Sequence, residues 1–179
     1  MIGCLGIIGG SGLYNLKGLK NTEWIKIGTP WGSPSDEILT GELNGLKINF
    51  LPRHGRGHIH SPSTIPYKQN IFALKKLGVS DILSVSACGS LREDLEPGDF
   101  VLVDQFIDKT YLREKSFFGK GCVAHVSLAN PTCNRLSKII YDIGKKLNIK
   151  IHFGGTYLTM EGPQFSTLAE SKLYKENWK

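Results

Sequence analysis

The run Arg53-His54-Gly55-Arg56-Gly57-His58-Ile59-His60 concentrates the groups in this chain best suited to chemistry. Arginine presents a planar fork of N–H donors that matches a phosphate or carboxylate, and a neighbouring histidine can add a donor. Residue types alone leave several readings open. The run is an anion site built on Arg53 and His54, a metal site using His54, His58 and His60, or a solvated basic turn. No cysteine or carboxylate lies inside the run to complete a familiar ligand set, which weakens the metal reading.

Two further loops offer anion donors. Gly9-Gly10-Ser11-Gly12 follows the apolar run Leu5-Gly6-Ile7-Ile8. Glycines let backbone N–H groups approach an anion closely, and a serine hydroxyl adds a donor. Asn15 stands where a dinucleotide fingerprint needs its last glycine, and no Lys-Ser/Thr follows for a Walker loop. A plain tight turn remains the alternative. The other loop is Ser84-Val85-Ser86-Ala87-Cys88-Gly89-Ser90-Leu91-Arg92-Glu93. Small residues after a strand leave N–H and hydroxyl groups free at the edge where α/β sheets bind ligands. Cys88 has no base signalled near it and reads as a small packing residue.

The elements that must carry these loops are visible in outline. Leu5–Ile8 reads as a buried first strand. Ile38–Leu43 and Leu46–Leu51 flank Asn44-Gly45, a strong hairpin signal. Pro66 to Leu77 reads as a helix with Gly78 as its C-terminal cap. Asp81–Ser86 reads as a central strand, and Phe100–Ile107 as another after the Pro97-Gly98-Asp99 turn. Pro131 to Leu147 reads as an amphipathic helix, with Leu136, Ile139, Ile140, Ile143 and Leu147 at helical spacing. Ile149–Phe153 and Thr156–Met160 read as strands, and Thr167-Leu168-Ala169-Glu170 as a capping box opening a last helix. Strands alternating with helices predict an α/β fold with a mixed central sheet flanked by helices.

Composition narrows the class. The 179 residues include 22 basic and 16 acidic side chains, a net charge of +6, with 40% hydrophobic and 21% charged residues. That is globular composition, and the length suits a single domain over residues 1–179, with no linker or repeat. No apolar run is long enough to span a bilayer, and no signal peptide is legible, so no membrane association is expected. The cysteines Cys4, Cys88, Cys122 and Cys133 form no Cys-x-x-Cys pair and read as reduced thiols of a cytoplasmic protein. The lysines are scattered, without the aromatic-interleaved basic stripe of a nucleic-acid binder.

Taken together, these loops resemble the purine nucleoside phosphorylase superfamily, and within it the S-methyl-5'-thioadenosine phosphorylases. The carrying segments are Gly6–Gly12, Pro52–Arg56, Ser86–Glu93, Asp104–Asp108 and Met160–Thr167, which follow the family order along the whole chain. The resemblance implies the nucleoside phosphorylase fold and a pentosyl transfer: phosphorolysis of methylthioadenosine to adenine and 5-methylthioribose 1-phosphate, in purine and methionine salvage. Inorganic phosphate would be a co-substrate, with no cofactor and no metal. By resemblance, phosphate is held by Ser11, Arg53, His54, Ser86 and Ala87; Ser11 and Ser86 stand where many relatives have threonine. Phe165 and Ser166 fall where the family lines its purine pocket. His125 matches a histidine that a neighbouring subunit offers to the substrate, which implies a homotrimer. Glu161 is open to a role at the ribose hydroxyls or in a turn.

The family's pattern runs on past Lys179 to a Met-Thr pair and the aspartates that act on the leaving purine. No catalytic acid is therefore assigned, and the resemblance implies a C-terminally truncated chain that is itself inactive. Phosphorolysis of methylthioinosine or another purine nucleoside, and non-catalytic binding of phosphate or nucleoside, are the alternatives.

Overall fold

The computed structural model describes residues 3–14 and 17–178, and for Ser11 the backbone alone. The chain divides into two compact units: residues 1–87 with 112–117, and residues 88–111 with 118–179.

The first unit is built on a five-stranded sheet in the order β2-β3-β4-β1-β5. Its strands are β1 (Cys4–Gly9), β2 (Lys20–Ile25), β3 (Ile38–Leu43), β4 (Leu46–Pro52) and β5 (Asp81–Ser84). β2, β3 and β4 pair antiparallel, whereas β4, β1 and β5 run parallel. The mixed sheet expected from the sequence is therefore present. The β3–β4 hairpin turns at Asn44 and Gly45, with φ of 49° and 81°. Positive φ at both positions matches the right-handed twist of the flanking strands, which explains the Asn-Gly pair. Ile48 to Pro52 are all buried, as a central strand covered on both faces requires.

Helix α1 (Tyr67–Lys76) packs Ala73 and Leu74 against Ile38 and Leu51, all fully buried. It ends where the sequence signals: Gly78 adopts a φ of 78° and donates to the Lys75 carbonyl at 3.0 Å, while Val79 donates to Leu74 at 3.2 Å. This paired closure satisfies carbonyls the helix leaves open. Strand β2 is absent from the sequence expectation. Its exposed residues Lys20 to Glu23 carry no alternating pattern, and it is a strand because β3 supplies the ladder.

In the second unit, β6 (Phe100–Leu102) pairs parallel with β8 (Ile151–Phe153), and β7 (Gln105–Asp108) with β9 (Thr156–Thr159). The run Phe100–Ile107, expected as one strand, is thus two. The break has a physical cause. Gly154 and Gly155, with φ of 86° and 152°, interrupt the partner strand. The Asp104 carboxylate accepts from the Gly155 N–H at 3.0 Å at that point. Helix α2 (Asn134–Lys146) lies against β8, where a side chain on Gly144 would come within 3.1 Å of Ile151. Helix α3 (Leu168–Asn177) opens with the capping box expected from the sequence: the Glu170 N–H donates to the Thr167 hydroxyl at 3.2 Å, and the Thr167 N–H to the Glu170 carboxylate at 2.7 Å. Among the described residues no helix is long and apolar enough to cross a membrane.

Candidate functional site

Strands β4, β1 and β5 are neighbours and parallel, so their carboxyl ends open on one edge of the sheet. The register sets Gly9 beside Pro52 and Ile8 beside Ser84. The ladder continues one step further. The Arg53 N–H donates to the Gly9 carbonyl and the Val85 N–H to the Ile8 carbonyl, each at 2.9 Å. The glycine loop, the arginine-histidine loop and the serine-rich loop therefore leave from one level, at the edge that ligands favour in such sheets.

Arg53 spans this edge. Its Nη1 donates to the Ser86 Oγ at 2.5 Å and reaches the Val85 carbonyl at 3.4 Å. On the other side, a Cβ built on Gly10 would lie 3.6 Å from Nη2. Gly10 leads into one tight helical turn, Ser11–Leu13, closed by the Leu13 N–H donating to the Gly10 carbonyl at 3.0 Å. Ala87 is exposed next to Ser86. The expected Ser11 hydroxyl contact lies outside the described atoms.

His54 is buried, and both its ring nitrogens are engaged. Nδ1 lies 2.9 Å from the His60 carbonyl, and Nε2 lies 3.3 Å from the Arg53 Nε. A carbonyl can only accept and a guanidinium can only donate, so Nδ1 carries the proton and Nε2 is bare. The His58 ring stacks on His54 with centroids 4.3 Å apart. Burial pushes the His54 pKa below the ordinary histidine value; the bond to His60 works against this, and the positive charge of Arg53 adds to it. A neutral imidazole therefore steadies the arginine fork. Among the described residues no group of three or more His, Cys, Asp or Glu side chains is placed to hold a metal ion.

Several residues that shape the site carry no local sequence signal. The Tyr14 hydroxyl donates to the Gly55 carbonyl at 3.0 Å, and the Ser35 hydroxyl to the Pro52 carbonyl at 2.7 Å. Burial raises the Tyr14 pKa, as does the nearby Asp36 charge, with Arg53 opposing. Asp36 bonds Arg56 from 20 positions away, although Glu42 is nearer along the chain.

The remaining expected residues belong to the second unit. Phe165 is 94% exposed there, and Ser166 shares a hydrogen bond of 2.7 Å with Ser171 in the first turn of α3. His125 is exposed within the irregular segment 122–128. Glu161 is buried and accepts from the Tyr111 N–H at 2.7 Å, which gives it an anchoring part in the loop after β9.

A parallel strand edge with an arginine among glycine and serine loops gathers N–H and hydroxyl donors where α/β sheets accept ligands, an arrangement suited to an anion. The profile of the phosphorylase superfamily matches residues 5–178, and the chain belongs to that superfamily. Particular relatives narrow the comparison. The S-methyl-5'-thioadenosine phosphorylase of Cereibacter sphaeroides is 65% identical over 171 residues, which cover 96% of this chain and 59% of that protein. The enzyme of the same name from Saccharolobus solfataricus is 54% identical over 175 residues, covering 98% of this chain and 65% of that one. A methylthioadenosine phosphorylase crystal structure from an Antarctic soil metagenomic library aligns with a TM-score of 0.93 at 50% identity, covering 98% of this chain and 62% of the other. The methylthioadenosine phosphorylase of Schistosoma mansoni in complex with adenine aligns at 0.92 and 38% identity, covering 97% and 70%. The mixed α/β fold is that of these nucleoside phosphorylases. The chain spans 59% of the length of its Cereibacter relative.

Proposed function

We propose that this chain supplies the phosphate-binding part of a methylthioadenosine phosphorylase. The observation that carries the reading is the Arg53 guanidinium, set between the Gly10 loop and Ser86 at the shared end of β4, β1 and β5. The names of the relatives supply the substrate.

Inorganic phosphate sits at this edge as a dianion. Arg53 gives it charge-assisted bonds, and the Gly10–Ser11 and Ser86–Ala87 backbone and hydroxyl groups complete the cradle. His54 acts through Arg53, because its Nε2 accepts from that side chain instead of donating to the anion. One phosphate oxygen attacks C1' of the ribosyl group as the bond from C1' to N9 breaks. The electron pair leaves with adenine, which takes up a proton, and the new C–O bond gives 5-methylthioribose 1-phosphate. The sugar is cation-like in the transition state, so an oxyanion fixed beneath it lowers the barrier by position and charge. Phe165 offers its exposed ring to the purine and Ser166 lines the same pocket, while His125 comes from a neighbouring copy in a homotrimer. The reaction needs no cofactor and belongs to cytoplasmic purine and methionine salvage.

Calorimetric titration of the chain with inorganic phosphate tests the site. Adenine release from methylthioadenosine and phosphate tests the activity, in this chain and in protein that includes any sequence following Lys179. Saturable phosphate binding is expected. Its absence removes the site, and phosphate-independent adenine release removes the reaction.

A further inference from the structure

The loop that presents Arg53 and His54 has little apolar surface with which to hold itself. Arg56, Gly57, His58 and Ile59 are all exposed. A charged cradle works best when its donors are fixed before the anion arrives, so the loop needs an anchor.

Arg56 has the geometry of that anchor. The Asp36 carboxylate accepts from the Arg56 backbone N–H at 2.6 Å, from its Nε at 3.0 Å and from its Nη2 at 2.8 Å. Glu37 accepts from the same Nη2 at 2.9 Å. The guanidinium carbon lies 4.0 Å from the centroid of the Trp24 ring. Burial disfavours the Asp36 charge, yet the bonds from Arg56 outweigh it and hold the carboxyl below its usual range. Asp36 stands on a braced segment. The adjoining Ser35 N–H donates to the buried Asn70 side chain of α1 at 2.8 Å, and the Ser35 hydroxyl bonds Pro52 at the other end of the loop. An anion approaching Arg56 would meet Asp36 and Glu37, so this arginine is unsuited to bind one itself.

We infer that Asp36 and Arg56, with Trp24 beneath, form a clamp that positions Arg53 for the anion, with His54 held behind it. Arg56 and Asp36 are positioning residues, and the inference rests on the phosphate reading above. A clamp of this kind acts on loop order, and through it on affinity, without touching the ligand.

Amide hydrogen exchange and phosphate titration on the same chain test it. In Arg56→Ala and Asp36→Asn, amides of residues 55–60 are expected to exchange faster while those of β1 and β4 keep their protection. Phosphate is expected to bind roughly tenfold more weakly. Arg56→Lys keeps the charge without the fork and guards against misfolding of the alanine variant; it is expected to fall between wild type and Arg56→Ala. Unchanged loop exchange, a rise spread equally over β1 and β4, or unchanged phosphate affinity in a chain that binds phosphate would overturn the clamp. Failure of the wild-type chain to bind phosphate removes the phosphate reading instead, and the loop amides then decide the clamp by themselves.

Discussion

The Arg53 guanidinium donates to the Ser86 hydroxyl at 2.5 Å, although 33 positions separate them in the chain. Arg53 follows the last residue of β4, and Ser86 lies two residues beyond β5, with β1 between the two strands. The contact exists because three parallel strands end together.

Arg53 makes directed bonds at both ends of its fork, to Ser86 through Nη1 and to His54 through Nε. A lysine keeps the charge but cannot hold both. Arg53→Lys is expected to weaken phosphate binding by about 10–100-fold, or about 1.4–2.8 kcal/mol. Calorimetric titration checks this, and an unchanged dissociation constant would remove Arg53 from the site.

The partner hydroxyl should matter less than the arginine. Ser86→Ala leaves Nη1 with the longer Val85 carbonyl contact at 3.4 Å. A loss of about 1 kcal/mol in phosphate binding is expected for that variant. Ser86→Thr retains the hydroxyl and should bind like wild type. If both variants bind equally weakly, side-chain bulk governs the position and the hydroxyl does not.

The lowered pKa of His54 makes a stability prediction with a defined sign. Below about pH 6.5 the unfolded histidine takes up a proton, while the folded one, buried and beside Arg53, resists it. The contribution of neutral His54 is therefore complete above that pH, and is lost as pH falls through the lowered folded value. Urea midpoints measured at about pH 8 and about pH 5 should differ more for wild type than for His54→Gln. An equal drop in the two proteins would mean that His54 does not contribute.

Gly55 and Gly57 both adopt positive φ, 72° and 81°, yet they should differ in tolerance. A Cβ on Gly55 would come within 2.8 Å of the Ser35 carbonyl oxygen, whereas on Gly57 the nearest atom is an Ile59 methyl at 3.7 Å. Gly55→Ala is expected to destabilise by about 2–3 kcal/mol, and Gly57→Ala by about 1 kcal/mol. Equal shifts in thermal midpoint would show that backbone conformation, and not the Ser35 contact, sets the loss.

What was legible in the sequence is mostly local. Asn44-Gly45 specifies its hairpin through its own φ preferences, Gly78 ends α1, and Thr167 with Glu170 caps α3. Each signal lies within a few residues of its effect. The loops of the proposed anion site stand out for the same reason, because arginine, glycine and serine offer donors by type. Strand β2 was not, since a polar edge segment is a strand only when a neighbour offers a ladder. Nor was the split of Phe100–Ile107, whose cause lies at Gly154 and Gly155 in a distant partner.

Residue types and their local order mark which groups can offer anion donors and in which turns they stand. Only the tertiary structure decided which of them meet. Register across β4, β1 and β5 brings Arg53 to Ser86 and Gly10, and the packing of segment 35–37 gives Arg56 to Asp36 instead of to Glu42. The reason is physical. Propensity and turn chemistry act over a few bonds, whereas strand pairing and charge pairing are chosen by the whole fold, among partners that the chain does not rank by distance.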